Sequence, residues 1–402
     1  MTKKQQNGLI LILGSVAALG PFSIDMYLPG FPAIAEDLNT DISKVALTLT
    51  SYFVGISVGQ LIYGPILDRY GRKKPLLIGM VIYIMAVLGC AAAPDVYSLI
   101  ALRALMALGG CVGMVASRAI IRDRFPVSEI ARVFSTLILV MGVAPIVAPT
   151  LGGLVISNFN WRFVFIFLAI LSTIVTFLIF RFLEESHAPD KEVSLRPNRV
   201  AIEYWKVLSN STFLVYGLAG SLAMAAMFAY IGDSSFVLME LYGFSEQSYG
   251  WIFGSNAAGF IIGSQVNRYI LKKREPKVIT YVFAILMVGV ALSLALGNMY
   301  ALMSMPVLIS LLFLFMFFLG FVNPNTQALA LEPFSKNAGI ASALVGSLRM
   351  FSGAVATALI SIFHDGSIRP MVWIICICAL LSLALLVTKR KEIVLYPVRT
   401  KV

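Results

Sequence analysis

The stretch Gly64-Pro65-Ile66-Leu67-Asp68-Arg69-Tyr70-Gly71-Arg72-Lys73-Lys74 is a short charged turn between two apolar runs, residues 45–66 before it and Pro75 to Ala93 after it. Each run is long enough, at ~1.5 Å of rise per residue, to cross a ~30 Å hydrocarbon core as a helix. A closed β-barrel would alternate apolar and polar residues instead. Working outward from this turn, spans are expected at about 8–30, 45–66, 75–93, 97–117, 130–157, 162–182, 212–232, 247–267, 278–297, 301–325, 338–362 and 370–388. The composition agrees. The 402 residues are 59% hydrophobic and 13% charged, with a mean hydropathy of +0.88, whereas a soluble domain is about half apolar and a quarter charged. An ordinary soluble protein is excluded, and the expected fold class is an all-α membrane protein of twelve transmembrane helices.

The net charge is +11, but the placement of the basic residues does not point to nucleic acid. Of the 31 Lys and Arg, only Lys44, Arg162 and Arg369 fall on one side of the expected spans, and Arg103 and Arg349 fall within them. The rest share one side with the termini, which the positive-inside rule makes cytoplasmic. Met1 to Gln6 and the apolar run after it read as a retained first helix, because no small-residue cleavage site ends the run. Cys90, Cys111, Cys376 and Cys378 all fall in spans and are expected to act as small packing residues rather than disulfides.

A polar stretch at about 184–211, with Pro189 and Pro197, divides the chain into an N-terminal six-helix bundle (1–183), a cytoplasmic linker (184–211) and a C-terminal six-helix bundle with a tail (212–402). Internal similarity supports the two halves. Gly64, Arg69, Tyr70, Lys73 and Lys74 recur 199 residues later as Gly263, Arg268, Tyr269, Lys272 and Lys273, Gly55 recurs as Gly254, and Asn267 replaces Asp68. Parallel repeats of this kind build transporters with a midplane site between the halves.

The turn quoted first resembles the loop signature of the major facilitator superfamily. In that signature Gly64, Asp68, Arg69, Gly71 and Arg72 form a gating motif. Physically, Asp68 can face the positive N-terminus of a helix, Gly71 permits a tight turn, and Arg72 can reach an acid such as Asp123. A merely solvated loop would explain the basic residues but not the glycine and acid spacing. Within that superfamily the whole chain resembles the drug:proton antiporters of the Bcr/CflA type, the bicyclomycin and chloramphenicol resistance proteins. The resemblance is carried by Asp25-Met26-Tyr27-Leu28-Pro29, by Arg103-Ala-Leu-Met106-Ala107-Leu-Gly109 and by an antiporter-like motif with Pro145, Pro149, Gly152 and Gly153. Trp161-Arg162 and Ala338-Gly339-Ile-Ala-Ser-Ala agree with it. Met106 stands where Gln is common, and Gly232-Asp233-Ser234-Ser235 stands where a Gly-Ser-Pro turn is usual. The resemblance implies a bacterial inner-membrane protein, functional as a monomer, that handles protons and a small-molecule substrate without cofactor or nucleotide.

Charge inside the membrane is the strongest functional signal independent of family, since it costs several kcal/mol (~3 by insertion scales) unless paired or hydrated. Asp25 and Arg103 fall at similar depths and are expected to be partners that couple proton movement. Burial favours the neutral acid and a neighbouring guanidinium the carboxylate, so a carboxylate held between those influences can load and release a proton. A static ion pair is the bland alternative. Asp233 and Arg349 are expected either to line a substrate cavity or to reach water, and Tyr27, Met224, Met227 and Phe228 to supply an adaptable apolar wall. Glu332, at the cytoplasmic end of its span, reads as a solvated or gating residue, and the prolines within spans fit helix curvature as well as any gating role.

Enzyme readings fail. Gly55-Ile-Ser57-Val-Gly59 matches a nucleophile elbow but lies in an apolar helix, where Gly at i and i+4 is a close-packing motif. No Gly-Lys dipeptide forms a nucleotide loop, and two histidines, His187 and His364, offer no metal spacing. The expected function is proton-coupled efflux of small, mostly apolar compounds by alternating access. The alternative on the same fold is an exporter or permease of an endogenous metabolite of nucleoside, amino-acid-like or sugar-like type.

Overall fold

The computed structural model describes residues 3–389 except 192, 194, 301 and 335–337. The expected C-terminal tail and the first residue of the expected span at 301 lie outside the described residues. The first expected span is a broken helix. It comprises α1 (Lys3–Asp25), a 3-10 turn (Leu28–Gly30) and α2 (Phe31–Asp37). There follow α3 (Ile42–Tyr70), α4 (Lys73–Ala91), α5 (Val96–Arg124), α6 (Val127–Asn158) and α7 (Arg162–Phe182). The linker contains α8 (Pro197–Leu208). Beyond it lie α9 (Ser211–Ser235), α10 (Glu246–Ile270), α11 (Pro276–Met299), α12 (Met305–Leu331), α13 (Ala338–Ile362) and α14 (Arg369–Thr388).

Among the described residues, eleven helical stretches are long and apolar enough to cross a membrane. The expected crossing at 247–267 is helical as α10, yet it is not one of the eleven, because Ser255, Asn256, Ser264, Gln265 and Asn267 dilute its apolar content. Two of those side chains have hydrogen-bond partners inside the protein. Asn256 Nδ2 donates to the Tyr230 hydroxyl at 2.9 Å, and Asn267 and Asn325 exchange amide hydrogen bonds at 2.9 and 3.3 Å.

Contacts divide the chain into two compact units, Met1–Ile202 with Gly232–Gly254, and Glu203–Ile231 with Ser255–Val402. This division differs from the sequence-based one, which assigns residues 232–254 to the C-terminal half. A close seam inside the first unit accounts for the difference. A Cβ added to Gly153 of α6 would lie 2.7 Å from the Glu246 carbonyl oxygen, and one on Gly250 of α10 would lie 2.9 Å from Thr150 Cα.

Within the first unit α5 packs against α1, α3 and α4. The Gly55–Gly59 pair does pack closely: Cβ atoms there would meet the Ala104 carbonyl oxygen at 2.5 Å and Cys111 Cβ at 2.9 Å. Asp95 starts α5 as its N-cap, accepting from the amides of Tyr97 and Ser98 at 2.9 Å each. Gly152 of α6 meets the backbone just after Asp25, and a Cβ there would clash with the Met26 carbonyl oxygen. The cysteines are free, three of them buried and Cys378 half-buried.

Gly152→Ala should therefore lower the thermal midpoint of the purified protein, since backbone must move to admit the methyl group. Gly289→Ala, on α11 with nothing within 4 Å of the added Cβ, should leave it unchanged or raise it, by up to about 1 kcal/mol. Equal midpoints for the two variants would contradict the close α1–α6 approach.

Candidate functional site

The helical path of α1 ends at Asp25, and Met26 and Tyr27 form the turn before the 3-10 segment. Pro29 supplies no backbone N–H, which suits the first turn of a new segment rather than the interior of a long helix. The turn brings a set of polar side chains inward. Asp25 is 4% exposed, Arg103 of α5 is fully buried, and Tyr27, Tyr52 and Tyr83 are all but inaccessible.

The expected ion pair is replaced by a different arrangement. Among the described residues no ion pair joins Asp25 and Arg103. Arg103 instead lies between two tyrosine rings, its guanidinium carbon 4.7 Å from the Tyr27 centroid and 4.3 Å from that of Tyr52. Its Nη1 donates to the Ser23 carbonyl oxygen at 2.8 Å and to Met106 Sδ at 3.5 Å. Nε and Nη2 are buried with no hydrogen-bond partner among the described residues. Depth along two helices does not decide which groups meet; rotation about each helix does. Met106 contributes as well, because a thioether is a weak acceptor and leaves the guanidinium loosely held where a Gln oxygen would bind it firmly.

The surrounding hydroxyls are tied to one another. Ser23 Oγ donates to the Leu19 carbonyl at 2.6 Å and shares a 2.7 Å hydrogen bond with the Tyr83 hydroxyl. The Tyr27 and Thr48 hydroxyls are 3.1 Å apart. Side chains of α1, α3, α4 and α5 thus converge around the turn after Asp25.

A second constellation sits at the α3–α4 turn. Arg72 Nε donates to Asp123 Oδ2 at 2.9 Å, as the sequence suggested, and Nη1 donates to Asp68 Oδ1 at 2.5 Å. Asp68 thus faces a guanidinium, where a helix N-terminus was expected. Burial works against the Arg72 charge, but the hydrogen bonds it donates to the two carboxylates, with their negative charge, outweigh it and hold the guanidinium above its usual range. Arg69 Nη1 reaches the Val193 carbonyl at 2.6 Å, and Gly64 stands in open space.

Sequence reasoning missed Glu185. Its Oε1 accepts the Arg72 amide at 2.7 Å and its Oε2 the Lys73 amide at 3.0 Å, so a linker carboxylate caps the N-terminus of α4. Gly71, at φ +82°, makes room for it. A Cβ there would lie 2.7 Å from Glu185 Oε2. Ser186 Oγ donates to Asp123 Oδ2 at 3.1 Å, and Arg124 Nη2 to the Glu185 carbonyl at 2.8 Å. The clue available in sequence was a Glu-Glu-Ser run at the end of the sixth expected span, which contains no sign of its partner more than a hundred residues earlier.

The remaining candidates are placed as follows. Asp233 is 2% exposed, because α9 continues past it into a π-helical segment (Phe236–Leu241); the expected helix end at 232, and the reading that Asp233 reaches water, are corrected. In the second unit Arg349 of α13 is 8% exposed and donates to Gln327 Oε1 at 2.7 Å and to the Asn323 carbonyl, next to Pro324, at 3.0 Å. Met224 is buried and Met227 half-buried. Phe228 packs on Gly353, where a Cβ would lie 2.5 Å from the ring, so it serves helix packing. Pro145 and Pro149 lie inside α6. Among the described residues no cluster could hold a metal ion.

The helices and the charges buried among them describe a polytopic membrane protein. Comparison with known proteins specifies the family. A model of the Major Facilitator Superfamily matches residues 13–357 and again 234–396, and the chain belongs to that family, whose members are transporters and not enzymes. It is 34% identical to the uncharacterized MFS-type transporter YdgK of Bacillus subtilis, over 95% of both chains. It is 31% identical to a bicyclomycin resistance protein homolog of Haemophilus influenzae, over 93% of this chain and 94% of that protein. Multidrug resistance protein MdtL of Escherichia coli is 29% identical over 92% and 93%. Among solved structures, a bacterial homolog of the human lysosomal transporter Spinster gives a TM-score of 0.77 at 12% identity, covering 97% of this chain and 98% of that one. A D-xylose-proton symporter gives 0.74 at 14%, covering 94% and 96%. The protein is thus a multi-pass membrane transporter with bacterial homologues and the major facilitator fold.

Removing the cap at the α3–α4 turn should be measurable. Glu185→Ala should lower the thermal midpoint by the equivalent of about 1 kcal/mol, as for loss of other helix caps, with Glu185→Gln intermediate. A midpoint unchanged in both would show that the capping bonds contribute nothing in solution.

Proposed function

We propose that the protein exports small, mostly apolar drugs or toxic compounds across the bacterial inner membrane by alternating access, driven by inward proton movement. The observation that carries this reading is the nearly inaccessible Asp25 carboxylate at the break in α1, in the same unit as the buried guanidinium of Arg103. Asp25 carries the proton. Arg103 is held by Ser23 and by Tyr27 of the same turn, so protonation of Asp25 and the backbone that positions this buried charge are linked. The resistance proteins among its relatives support efflux of apolar compounds. The Arg72–Asp68–Asp123 cluster belongs to the gate, and its bonds hold the α3–α4 turn in one access state.

Exchanging one proton for a neutral compound moves one charge, so both the pH gradient and the membrane potential drive export, the latter by about 2.3 kcal/mol per 100 mV. One observation favours a second reading. The Nε and Nη2 donors of Arg103 suit a substrate with an acceptor or anionic group, as in an endogenous metabolite. A resistance and metabolite-export screen comparing deletion with overexpression separates the two.

Asp25→Asn keeps the shape of the side chain and removes the titrating group. Energised everted vesicles carrying this variant should fail to accumulate a substrate identified by the screen, while equilibrium binding of a neutral substrate persists. Accumulation against a gradient in response to a pH difference, by a well-expressed variant, would place the proton on another residue, with Asp233 or Glu332 next to be tested.

A further inference from the structure

The turn between α10 and α11 repeats the α3–α4 turn 199 residues later, but its basic residues are placed differently. In the first unit Arg72 is held by Asp68 and Asp123, Arg69 Nη1 donates to the Val193 carbonyl, and Lys73 Nζ donates to the Phe180 carbonyl at 3.0 Å. In the second unit Asn267 replaces the acid, and its amide is engaged by Asn325. Arg268, Lys272, Lys273 and Arg274 are all exposed there, and among the described residues none of these four side chains has a hydrogen-bond or ion-pair partner. The Lys272 and Lys273 ammonium groups stand 5.8 and 5.9 Å from the Tyr269 ring centroid, a contact that leaves their charge uncompensated. That ring is 62% exposed. Glu275 is the one acid within residues 268–275, against four bases. The turn is fixed by its own backbone, since the amides of Lys272, Lys273 and Arg274 donate to the Tyr269 and Ile270 carbonyls at 2.9 to 3.3 Å.

We propose that the α10–α11 turn binds the headgroup of an anionic phospholipid. Its place on the chain puts it at headgroup depth. Pro276, the second residue after Arg274, begins α11, a helix long and apolar enough to cross a membrane. Lys272 and Lys273 meet the lipid phosphate as point charges, and Arg268 and Arg274 can each present two N–H groups to its oxygens. Tyr269 suits the same layer, because its ring is apolar and its hydroxyl is polar. The neighbouring helix selects a lipid over a soluble anion. Val282, Ile285 and Leu286 of α11 are exposed and give acyl chains an apolar surface for which free phosphate has no use. The site lies wholly in the second unit and is independent of the transported substrate.

The test is native mass spectrometry of the full-length chain released from nanodiscs of mixed phosphatidylcholine and phosphatidylglycerol. The unaltered protein should retain phosphatidylglycerol in preference. Lys272→Gln and Lys273→Gln should each weaken that preference about fivefold, the effect of one basic side chain at an anionic surface, and Lys73→Gln, at the equivalent place in the first unit, less than about twofold. Should the second-unit variants fold poorly, adding salt to about 1 M before release from the unaltered chain gives an independent reading, because screening at that strength confines the attraction to ~3 Å and the preference should fall. Equal retention of the two lipids by the unaltered chain overturns the proposal, as does a preference that survives both the substitutions and the salt. A loss in Lys73→Gln as large as that in Lys272→Gln shows a general attraction to basic turns and overturns this turn as the site. Displacement of phosphatidylglycerol by inorganic phosphate overturns the lipid as occupant.

Discussion

The fully buried guanidinium of Arg103 is the constraint on which the first unit depends. A charge withdrawn from water costs several kcal/mol, of the order of 3 on insertion scales, and here no carboxylate compensates it. Two aromatic faces at up to about 2 kcal/mol each, with one charge-assisted bond to the Ser23 carbonyl at roughly 2 kcal/mol, are of the size needed to offset that cost. Those partners come from α1, the turn after it and α3. Their convergence requires helices packed closely enough for Gly55 and Gly59 to admit no side chain. A second close approach joins α6 to the turn after α1, where Gly152 meets the Met26 carbonyl, and Asp25 stands at the edge of that turn.

The two units treat their repeated motif differently. In the first, Arg72 draws Asp68 and Asp123 together and Glu185 caps the next helix, a fully charged cluster at the end of the membrane-spanning helices. In the second, Asn267 stands at the position equivalent to Asp68, and it exchanges neutral amide bonds with Asn325. A neutral amide pair responds less to charge and ionic conditions than an Arg with two carboxylates. The duplicated sequence thus retains the helix-end geometry while concentrating the electrostatic element in one half.

Much of this was legible in the amino-acid sequence because it follows from local pattern. Spans follow from apolar run length, the Gly55–Gly59 seam from helical spacing, and the Arg72–Asp123 bond from acid and base on adjacent turns. What escaped the sequence depends on rotation or on long-range approach. Similar depth suggested that Asp25 and Arg103 meet, yet helix rotation presents Arg103 to Tyr27 and Tyr52. Glu185 reaches the α4 N-terminus from more than a hundred residues away. Asp233 sits where a span was expected to end, but a π-helical continuation buries it. The helix at 247–267 is less apolar than a crossing usually is, since its asparagines find partners inside the protein.

The account's central claim is that substrate and proton compete through Asp25. Proton release on adding saturating substrate to the purified protein in weakly buffered solution measures this directly, without a membrane gradient. The account predicts a substrate-dependent acidification by the unaltered protein that disappears in Asp25→Asn. Acidification of equal size in both, or none from an unaltered protein shown to bind the substrate, would contradict it.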